Sequence, residues 1–469
     1  MPRPIIEEID HPGAPEDLFA AIKDLPYSFF LDSSLSGQTF ADAGRYSFLG
    51  GDPFLVFKSK GDRIMLEWRG GKIEHLTSDP FIVLKDLFDR YRVDTEKEMP
   101  FTAGGVGYFS YDLKRFIEEL PDAAKDDLHL YDCVMGFYDC VITFDILKKK
   151  AYLSSLGLPE RENRLKYFRA RIALARAGGQ AYNFRPSGEL RSNFSKEAYI
   201  DAIEKAKEYI RRGDIYQVNL SQRFEVELKE EPFALYSRLR KTNPAPFSSY
   251  LNFDDLVIAS SSPERFLMKR GDYIETRPIK GTRPRGRDAS EDAMMERELL
   301  ASPKDAAEHL MIVDLERNDL GRICEYGSVK VSELNMLERY STVFHLVSVV
   351  SGKLTKGIGP IDCMEAAFPG GSITGAPKIR SMEIIEELEP VKRSVYTGAI
   401  GYISFDGSMD TSIAIRTFVI SGGKAYFQAG GGIVADSDPE REYEETIHKV
   451  KGLFSSLGIE EKEREIISI

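Results

Sequence analysis

The stretch with the clearest chemical potential is "TRPIKGTRPRG", residues 276–286, which holds a single lysine, Lys280. Four arginines surround this lysine: Arg277, Arg283, Arg285 and Arg287. The segment is too rich in proline for a helix and too rich in glycine for an ordinary strand. Two explanations stand side by side: a basic surface loop, or an amine nucleophile held close to an anionic substrate.

A second pattern is a row of charged residues in "DPEREYEETIHK" near the C-terminus. Asp438 as N-cap and Pro439 at the first helical position set the register of a helix. Glu442, Glu445 and Lys449 then share one face. A solvated stripe with a Glu445–Lys449 ion pair is the alternative explanation for this spacing.

A third carboxylate, Glu308, lies in the predicted helix "DAAEHLMIVDLERNDLGR". It shares a face with the apolar Ile312, so its side chain is predicted to point inward, where a carboxylate needs a partner or a metal ion. With Glu442 and Glu445 it forms a set of hard oxygen ligands of the kind that Mg²⁺ accepts.

Two glycine-rich segments lie immediately before predicted helices. "AGGGIVADSD" places Gly430 and Gly432 where backbone can approach a ligand. "FPGGSITGAPK" places Thr374 and Gly375 before a helix that starts near Pro377, where free N–H groups favour an anion. A plain helix start is the simpler explanation of the second segment.

Three polar residues interrupt apolar surroundings. Arg416 lies in the strand "SIAIRTF", where a lone arginine is costly unless it meets an anion. Tyr396, before "TGAIGY", can supply a hydroxyl beside it. His345, alone in "STVFHLVSVV", is a candidate catalytic residue, although a hydrogen-bonded core histidine is the usual explanation.

The elements that must position these residues come in blocks rather than in strict β-α-β alternation, which favours an α+β layered fold. Residues 1–176 are predicted to be a β-rich N-terminal subdomain, 177–194 a linker and 195–469 the catalytic domain. Within the last part, "SKEAYIDAIEKAKEYIRRGD" predicts a helix capped by Ser195. The alternating "QVNLSQRFEVEL" predicts a half-buried strand.

An internal similarity links "GGVGYFSYD" (104–112) with "TGAIGYISFDG" (397–407). We interpret it as a hypothesis that two sheets, one from each half of the chain, use equivalent strands and pack face to face. Chance similarity of two glycine-rich strands is the alternative.

The bulk composition excludes several classes. With 469 residues and a net charge of −12, the chain is large for one core and unlike a nucleic-acid-binding protein. Its four cysteines form no C-x-x-C pair, which argues against a zinc site and indicates a reducing cytoplasmic location. No signal peptide and no apolar run of about 20 residues is present, so we expect no membrane association.

Taken together, these segments resemble the chorismate-utilising enzymes. The resemblance rests on motifs in family order between residues 213 and 449: "GDIYQVNLSQRF", "SSPERF", "RPIKGTRPRG", "EHLMIVDLERNDLGR", "GGSITGAPK", "YTGAIGY", "IAIRT" and "AGGGIVADSDPEREYEET". "GRYSFLGGDPF" and "GGVGYFSYDL" extend it into the N-terminal half, as in the amino-transferring members. It implies two packed antiparallel β-sheets flanked by helices, the fold of anthranilate synthase component I and aminodeoxychorismate synthase.

The resemblance also implies roles for the residues above. Glu308, Glu442 and Glu445 would serve the Mg²⁺ that holds the ring carboxylate of chorismate. Thr374 and Gly375 would lie along the ring. The enolpyruvyl side and the carboxylates would be held by Tyr396, Arg416, Gly430, Gly432 and Lys449. Whether Asp305, one turn before Glu308, reaches the metal stays open.

Within the family, "PIKGT" resembles aminodeoxychorismate synthases, whereas anthranilate synthases have P-I-A-G-T. This implies that Lys280 attacks C2 of chorismate, with its pKa lowered by Arg277, Arg283 and a nearby metal. Glu264, in "SSPERF", would be the general acid/base, although a surface pair with Arg265 is an alternative. Gln217 stands where the isochorismate and salicylate branch carries a water-activating lysine. Anthranilate synthase component I and a non-catalytic ligand-sensing relative are the alternative functions.

Two further expectations concern ligands and partners. The chain has no G-x-C-x-G motif of a glutaminase, so ammonia is expected from a separate glutamine amidotransferase subunit, for synthesis of 4-aminobenzoate and folate. The segment "FFLDSSLSGQTFADAGRYSFLG" resembles the tryptophan-holding region of relatives. Ser33 and Tyr46 are candidates for such a pocket, and a purely structural loop is an equal alternative.

Overall fold

The computed structural model describes residues 4–10, 13–35, 44–93, 99–158, 161–175, 188–340, 343–459 and 467–468. These residues form two large β-sheets with helices packed around them, which confirms the fold class expected from the resemblance. Most of the linker predicted at 177–194 lies outside the described residues.

The strands are numbered in chain order. They are β1 Ile5–Ile9, β2 Phe29–Asp32, β3 Tyr46–Gly50, β4 Leu55–Lys60, β5 Arg63–Trp68, β6 Ile73–Thr77, β7 Gly104–Phe109, β8 Cys133–Tyr138, β9 Cys140–Asp145, β10 Lys150–Ser155, β11 Arg191–Ser192, β12 Gln217–Glu227, β13 Phe247–Phe253, β14 Leu256–Ser262, β15 Arg265–Arg270, β16 Tyr273–Thr276, β17 Ile279–Pro284, β18 Lys330–Arg339, β19 Val343–Lys353, β20 Gly375–Ala376, β21 Ala399–Ser404, β22 Met409–Ile413, β23 Thr417–Ser421, β24 Lys424–Ile433 and β25 Ile467–Ser468.

The α-helices are numbered in the same way. They are α1 Pro15–Ala20, α2 Pro80–Arg90, α3 Arg161–Ile172, α4 Lys196–Arg211, α5 Pro232–Thr242, α6 Ala289–Leu300, α7 Pro303–Gly321, α8 Pro360–Ala367, α9 Lys378–Leu388, α10 Pro439–Lys449 and α11 Lys451–Ser456. Short 3₁₀ helices cover Tyr111–Phe116 and Gly371–Ile373.

The larger sheet runs in the order β1-β10-β9-β3-β2-β13-β14-β23-β24-β12-β11-β25, and β20 pairs with β12. Its strand pairs are antiparallel except β11–β25. The smaller sheet runs β17-β19-β16-β15-β22-β21-β7-β8-β4-β5-β6, with β18 also paired to β19. Each sheet contains strands from both the 1–176 and the 195–469 segments, and the proposed division into subdomains stays a prediction.

An aromatic core joins the two sheets face to face. The Phe48 ring of the larger sheet meets the Tyr402 ring of the smaller sheet edge-on, with centroids 5.3 Å apart. Phe101 stacks on Tyr402 at 4.5 Å, and both rings are nearly inaccessible to water. Burial of such large side chains is a principal source of stability between the layers.

The hypothesis drawn from the internal similarity is wrong in its geometry. Its two segments form β7 and β21, which are antiparallel neighbours in the same sheet, with Gly107 opposite Gly401. The strands therefore meet edge to edge and do not face each other across the core. Each glycine removes a side chain where the neighbouring backbone passes within contact distance.

Local signals explain the helices that carry the candidate site. The Ser195 hydroxyl accepts the Ala198 N–H at the start of α4, and the Asp438 carboxylate accepts the Arg441 N–H at the start of α10. The Ser302 hydroxyl caps α7 by accepting the Asp305 N–H. None of the helices in the described ranges has both the length and the apolar character needed to cross a bilayer.

Candidate active site

The candidate residues converge where β12 and β24 of the larger sheet approach β17 of the smaller sheet. A Cβ built on Gly432 of β24 would lie 3.4 Å from Lys280 Nζ and 2.6 Å from Gln217 Nε2. Any side chain at position 432 would therefore displace the lysine or the amide. The two sheets, together with α7 and α10, enclose one polar site.

Lys280 reaches this site from the edge strand β17. The register of β17 against β19 shifts between Lys280 and Thr282, and the extra residue, Gly281, has a φ of 80°. A bulge of this kind turns a side chain out of the regular alternation and suits glycine. The bulge explains how a segment with the composition of a loop still forms a strand.

The Lys280 amine has no hydrogen bond or ion pair within the described residues. Burial lowers its pKa, and the nearby Lys449 ammonium lowers it further. Glu308, Glu264 and Glu445 oppose this shift without reversing it. A lysine in this environment loses its proton more easily than a lysine in water, which favours the nucleophilic amine.

The arginines around Lys280 do not have the role that was predicted for them. Arg277 pairs with Glu338 at 2.9 Å, and Arg283 pairs with Glu298 and Asp305 at 2.9 and 3.0 Å. Arg285 pairs with Asp292, and Arg287 with Glu291. Because each guanidinium is neutralised locally, burial and Lys449 lower the pKa of Lys280, and the arginines do not.

Glu264 is buried beside Lys280, with 4% of its surface exposed. Burial raises the pKa of its carboxyl to about 7, although the Ser372 hydroxyl, Lys280 and Arg416 favour the charged form. The alternative of a surface pair with Arg265 is excluded, since Arg265 pairs with Glu275 and Asp410. A carboxyl with a pKa near neutrality can both donate and accept a proton.

The three metal-ligand candidates approach each other from two helices. A Cβ on Gly431 would lie 3.2 Å from Glu442 Oε2 and 4.0 Å from Glu445 Oε1. Burial raises the pKa of Glu442 and of Glu308, and each of these two pKa values is also raised by a neighbouring carboxylate. Negative charge is thus concentrated and poorly hydrated at this point, which a cation would relieve.

Lysines occupy part of this acidic cluster. Lys449 Nζ lies 2.7 Å from Glu445 and donates to the Gly430 carbonyl at 2.9 Å. Within the described ranges, no three acidic, histidine or cysteine side chains lie close enough together to hold one ion. The candidate donors are all carboxylate oxygens, which is the ligand type that Mg²⁺ prefers. Asp305 pairs with Arg283 instead.

Arg416 and His345 lie in the walls of the same region, whereas the Tyr396 ring contacts Arg393. Arg416 adopts a φ of 50°, and its guanidinium has no ion-pair partner among the residues that the structure describes. Burial lowers its pKa, and the charges of Tyr340 and Glu264 partly offset this. A strained, unpaired and partly buried arginine is typical of a site that awaits an anion.

His345 lies beneath the bulge of β17, where its Nδ1 and the Thr282 hydroxyl share a hydrogen bond of 2.8 Å. Burial lowers its pKa to about 3, and the Arg416 cation acts in the same direction. Its Nε2 is buried without a hydrogen bond. The low pKa keeps the histidine neutral near pH 7.

Thr374 and Gly375 complete the floor of the site. The Thr374 hydroxyl donates to the Gly370 carbonyl at 3.0 Å. The backbone carbonyl of Thr374 accepts the Asn219 N–H at 2.8 Å. Gly375 pairs with Val218 through β20. Thr374 thus fixes the turn against β12, and its hydroxyl is already used by the backbone.

Two polar residues of β12 also belong to the site: Asn219, which the sequence did not single out, and Gln217, which it singled out only as the residue in place of a lysine. Both amide atoms of Gln217 and the Asn219 Oδ1 are buried without hydrogen bonds. Buried polar atoms are rarely left unpaired, so unpaired groups concentrated in one place indicate a ligand site. The missed signal is the polar face of β12, which was predicted to meet solvent and is buried.

A separate cavity, partly open to solvent, lies between the sheets. Ser33 and Tyr46, the two candidates for a tryptophan pocket, both line it. Tyr402 and Asp410 contribute from the smaller sheet, and Ser249 from the larger one. The lining combines aromatic rings with hydroxyl and charged groups, which suits a small amphipathic ligand.

Comparison with known proteins places these features in one family. Residues 58–455 match the model of the chorismate binding enzymes. The chain is 42% identical over 461 residues to anthranilate synthase component 1 of Acetivibrio thermocellus, covering 94% of this chain and 92% of that one. It is 39% identical over 433 residues to aminodeoxychorismate synthase component 1 of Bacillus subtilis, covering 91% of this chain and 92% of that one.

A solved structure supports the same assignment. Anthranilate synthase component I of Streptococcus pneumoniae superposes with a TM-score of 0.79 at 34% identity, covering 90% of this chain and 95% of that one. The fold, the convergence of the motif residues and these similarities agree. The protein belongs to the chorismate binding enzyme family.

Proposed function

We propose that the protein is aminodeoxychorismate synthase component I, which converts chorismate and ammonia to 4-amino-4-deoxychorismate. The observation that carries the proposal is the Lys280 amine, which has a lowered pKa and lies beside Glu264 with a pKa near 7. A neutral amine next to a protonated acid is the pair that displacement of a hydroxyl group requires.

In the first displacement, Lys280 Nζ forms a bond to C2 of chorismate. The ring double bonds shift, the C4–O bond breaks, and Glu264 gives its proton to the departing oxygen, which leaves as water. In the second displacement, ammonia forms a bond to C4 and the C2–N bond to Lys280 breaks. Two displacements place the amino group at C4 with retention of configuration.

The remaining residues bind and orient the substrate. Arg416 supplies an unpaired cation for a carboxylate, and Lys449, which pairs with Glu445, supplies a second cation. Tyr396 and the backbone at Gly430 and Gly432 hold the enolpyruvyl side. Glu308, Glu442 and Glu445 would hold Mg²⁺, which binds the ring carboxylate and stabilises the negative charge that develops on the ring.

A second candidate function has a specific observation in its favour. Relatives named anthranilate synthase component 1 are as similar to this chain as those named aminodeoxychorismate synthase component 1. Anthranilate formation would follow if ammonia attacked C2 directly and pyruvate were then eliminated. Lys280 favours the first function because a buried amine of lowered pKa could attack C2 in place of ammonia.

The names of the relatives also suggest a partner. A protein called component 1 implies a second component, and we propose that a separate glutamine amidotransferase supplies the ammonia. Chorismate, Mg²⁺ and ammonium at high pH should then give 4-amino-4-deoxychorismate with this chain alone. Glutamine should give product only after the amidotransferase is added.

The decisive experiment is trapping of the covalent intermediate. Chorismate and Mg²⁺ without ammonia should leave an adduct on Lys280, which acid quenching and peptide mass spectrometry would locate. Lys280→Ala should lose the adduct and at least about 100-fold in rate of aminodeoxychorismate formation, since covalent catalysis is removed. Lys280→Arg should be no better, because a guanidinium stays protonated and cannot attack carbon.

The opposite outcome is equally clear. If Lys280 served only as a positive charge, arginine would restore activity to the alanine variant. The wild-type protein would then carry no adduct, and anthranilate as the main product would indicate the second candidate function.

A further inference from the structure

Lys304 has a position that the proposed mechanism does not use. It lies in the first turn of α7, and its Nζ is 3.8 Å from Glu308 Oε1, one helical turn further on. Its charge also acts on α10, where it favours the ionised forms of Glu442 and Glu445. One lysine thus neutralises carboxylates that come from two helices.

The stability of α7 does not explain this lysine. The N-terminal end of a helix carries a partial positive charge, so a cation in the first turn is unfavourable there. A lysine placed four residues before a glutamate is also the weaker order for an ion pair within a helix. An acidic residue at position 304 would stabilise the helix better than lysine does.

The charge balance of the acidic cluster supplies a reason. Glu308, Glu442 and Glu445 are three carboxylates in a region where burial raises the pKa of the first two. Lys449 already pairs with Glu445 and with the Gly430 carbonyl. Lys280 also favours the ionised form of Glu308, but among the described residues Lys304 is the lysine within ion-pair distance of that carboxylate.

We propose that Lys304 is the resident counter-ion of Glu308, which Mg²⁺ must displace, so that this lysine sets the affinity of the free enzyme for the metal. The inference rests on the metal site of the proposed function. A tethered ammonium keeps the acidic cluster folded without metal and competes with the entering cation for the same oxygen atoms.

The test is a calorimetric titration of Mg²⁺ into the protein without chorismate. Lys304→Gln should bind Mg²⁺ about fivefold more tightly than the wild type, which is the fold-change that an exposed ion pair can supply. Lys304→Arg keeps the charge and should bind like the wild type. The difference in Mg²⁺ affinity between Lys304→Gln and the wild type should shrink at high salt, because the Lys304 side chain is 55% exposed.

Arg317→Gln is the matched control. It removes one positive charge from the same helix, at the exposed Arg317–Asp314 pair about 20 Å further along. This variant should bind Mg²⁺ like the wild type. Equal tightening in both Gln variants would show an effect of net charge alone and overturn the proposal.

Two other outcomes are informative. Unchanged or weaker Mg²⁺ binding by Lys304→Gln, with an unchanged melting temperature, would overturn the role of Lys304 and leave the metal site standing. If neither the wild type nor Lys304→Gln bound Mg²⁺, with or without chorismate, the metal site itself would be wrong and this inference with it.

Discussion

Glu264 illustrates how burial prepares a single side chain for catalysis. Its carboxyl would have a pKa near 4.5 in water, and burial raises that pKa to about 7 in the folded protein. The folded state therefore binds a proton more strongly than the unfolded chain between these two values. The free energy of unfolding must fall as the pH rises through that window, because the unfolded state then gains from ionisation.

This linkage gives a testable prediction. Glu264→Gln removes the ionisation, so the wild type should lose stability between pH 5 and pH 8 and the variant should not. The free energy of unfolding of the variant, relative to that of the wild type, should therefore rise by about 2 kcal/mol over this range. Urea unfolding at both pH values measures the difference. The Glu264→Gln variant should also lose most of its activity, since an amide cannot transfer a proton to the departing oxygen.

Glu291→Gln is the control for that experiment. The Glu291 pKa is lowered by its hydrogen bond to Arg287 on the surface, so this variant should change in the opposite direction or not measurably. A pH-independent stability difference between wild type and Glu264→Gln would contradict the raised pKa.

Among the elements, β12 shows what the sequence could not reveal. Alternation of polar and apolar residues indicates a strand, and the strand is present at 217–227. The same alternation does not distinguish a polar face that meets water from one that lines a ligand site. The prediction of a half-buried strand was wrong for that reason, and Gln217, Asn219 and Ser221 are all buried.

Helix starts could be predicted from the sequence, whereas the pairing of strands could not. The starts of α4, α7 and α10 could be predicted because N-caps and Pro at the first position act within a few residues. The pairing of β7 with β21 joins segments almost 300 residues apart, and no local rule reveals it. The bulge at Gly281 likewise depends on β19, a strand that follows about 60 residues later.

Two glutamines on β12 allow a matched prediction. Gln217 has no hydrogen bond at either amide atom, so Gln217→Met should raise the stability of the free protein by about 1 kcal/mol. Its amide lies beside Gly432 and faces the site, so the same change should weaken chorismate binding. Thermal unfolding and the KM for chorismate measure the two effects.

Gln222→Met makes the same chemical change on the opposite face of the strand. Gln222 accepts from Ser192 at 3.0 Å and donates to Thr446 at 2.6 Å. This variant should lose about 1 to 3 kcal/mol of stability without a direct effect on the KM. If both variants were equally destabilised, Gln217 would not be awaiting a ligand.

At the scale of the whole molecule, the two sheets enclose two separate sites. The candidate active site lies where β12, β17 and β24 meet, and the second cavity opens between β2, β3, β13, β21 and β22. Asp410 lines that cavity and also binds Arg265, the residue after Glu264. The family motifs named most of the residues of the first site but only Ser33 and Tyr46 of the second, whose other lining residues depend on the packing of both sheets.

We expect tryptophan to bind in this second cavity. Ser249 lines it, and its hydroxyl is buried without a hydrogen bond in the part of the chain that the structure describes. Ser249→Ala should therefore leave the free protein at least as stable as the wild type. It should weaken tryptophan binding about fivefold, the value of one hydrogen bond, as measured by calorimetry.

Ser260, directly opposite Ser249 on β14, provides the comparison because its hydroxyl already bonds Thr417 at 2.8 Å. Ser260→Ala should cost about 1 kcal/mol of stability and leave tryptophan affinity unchanged. Tryptophan binding should raise the melting temperature of the wild type and of Ser260→Ala to the same extent, because a ligand stabilises the state that it binds. No heat of binding at millimolar tryptophan would mean that Ser33 and Tyr46 belong to a structural segment, and that the cavity serves another ligand.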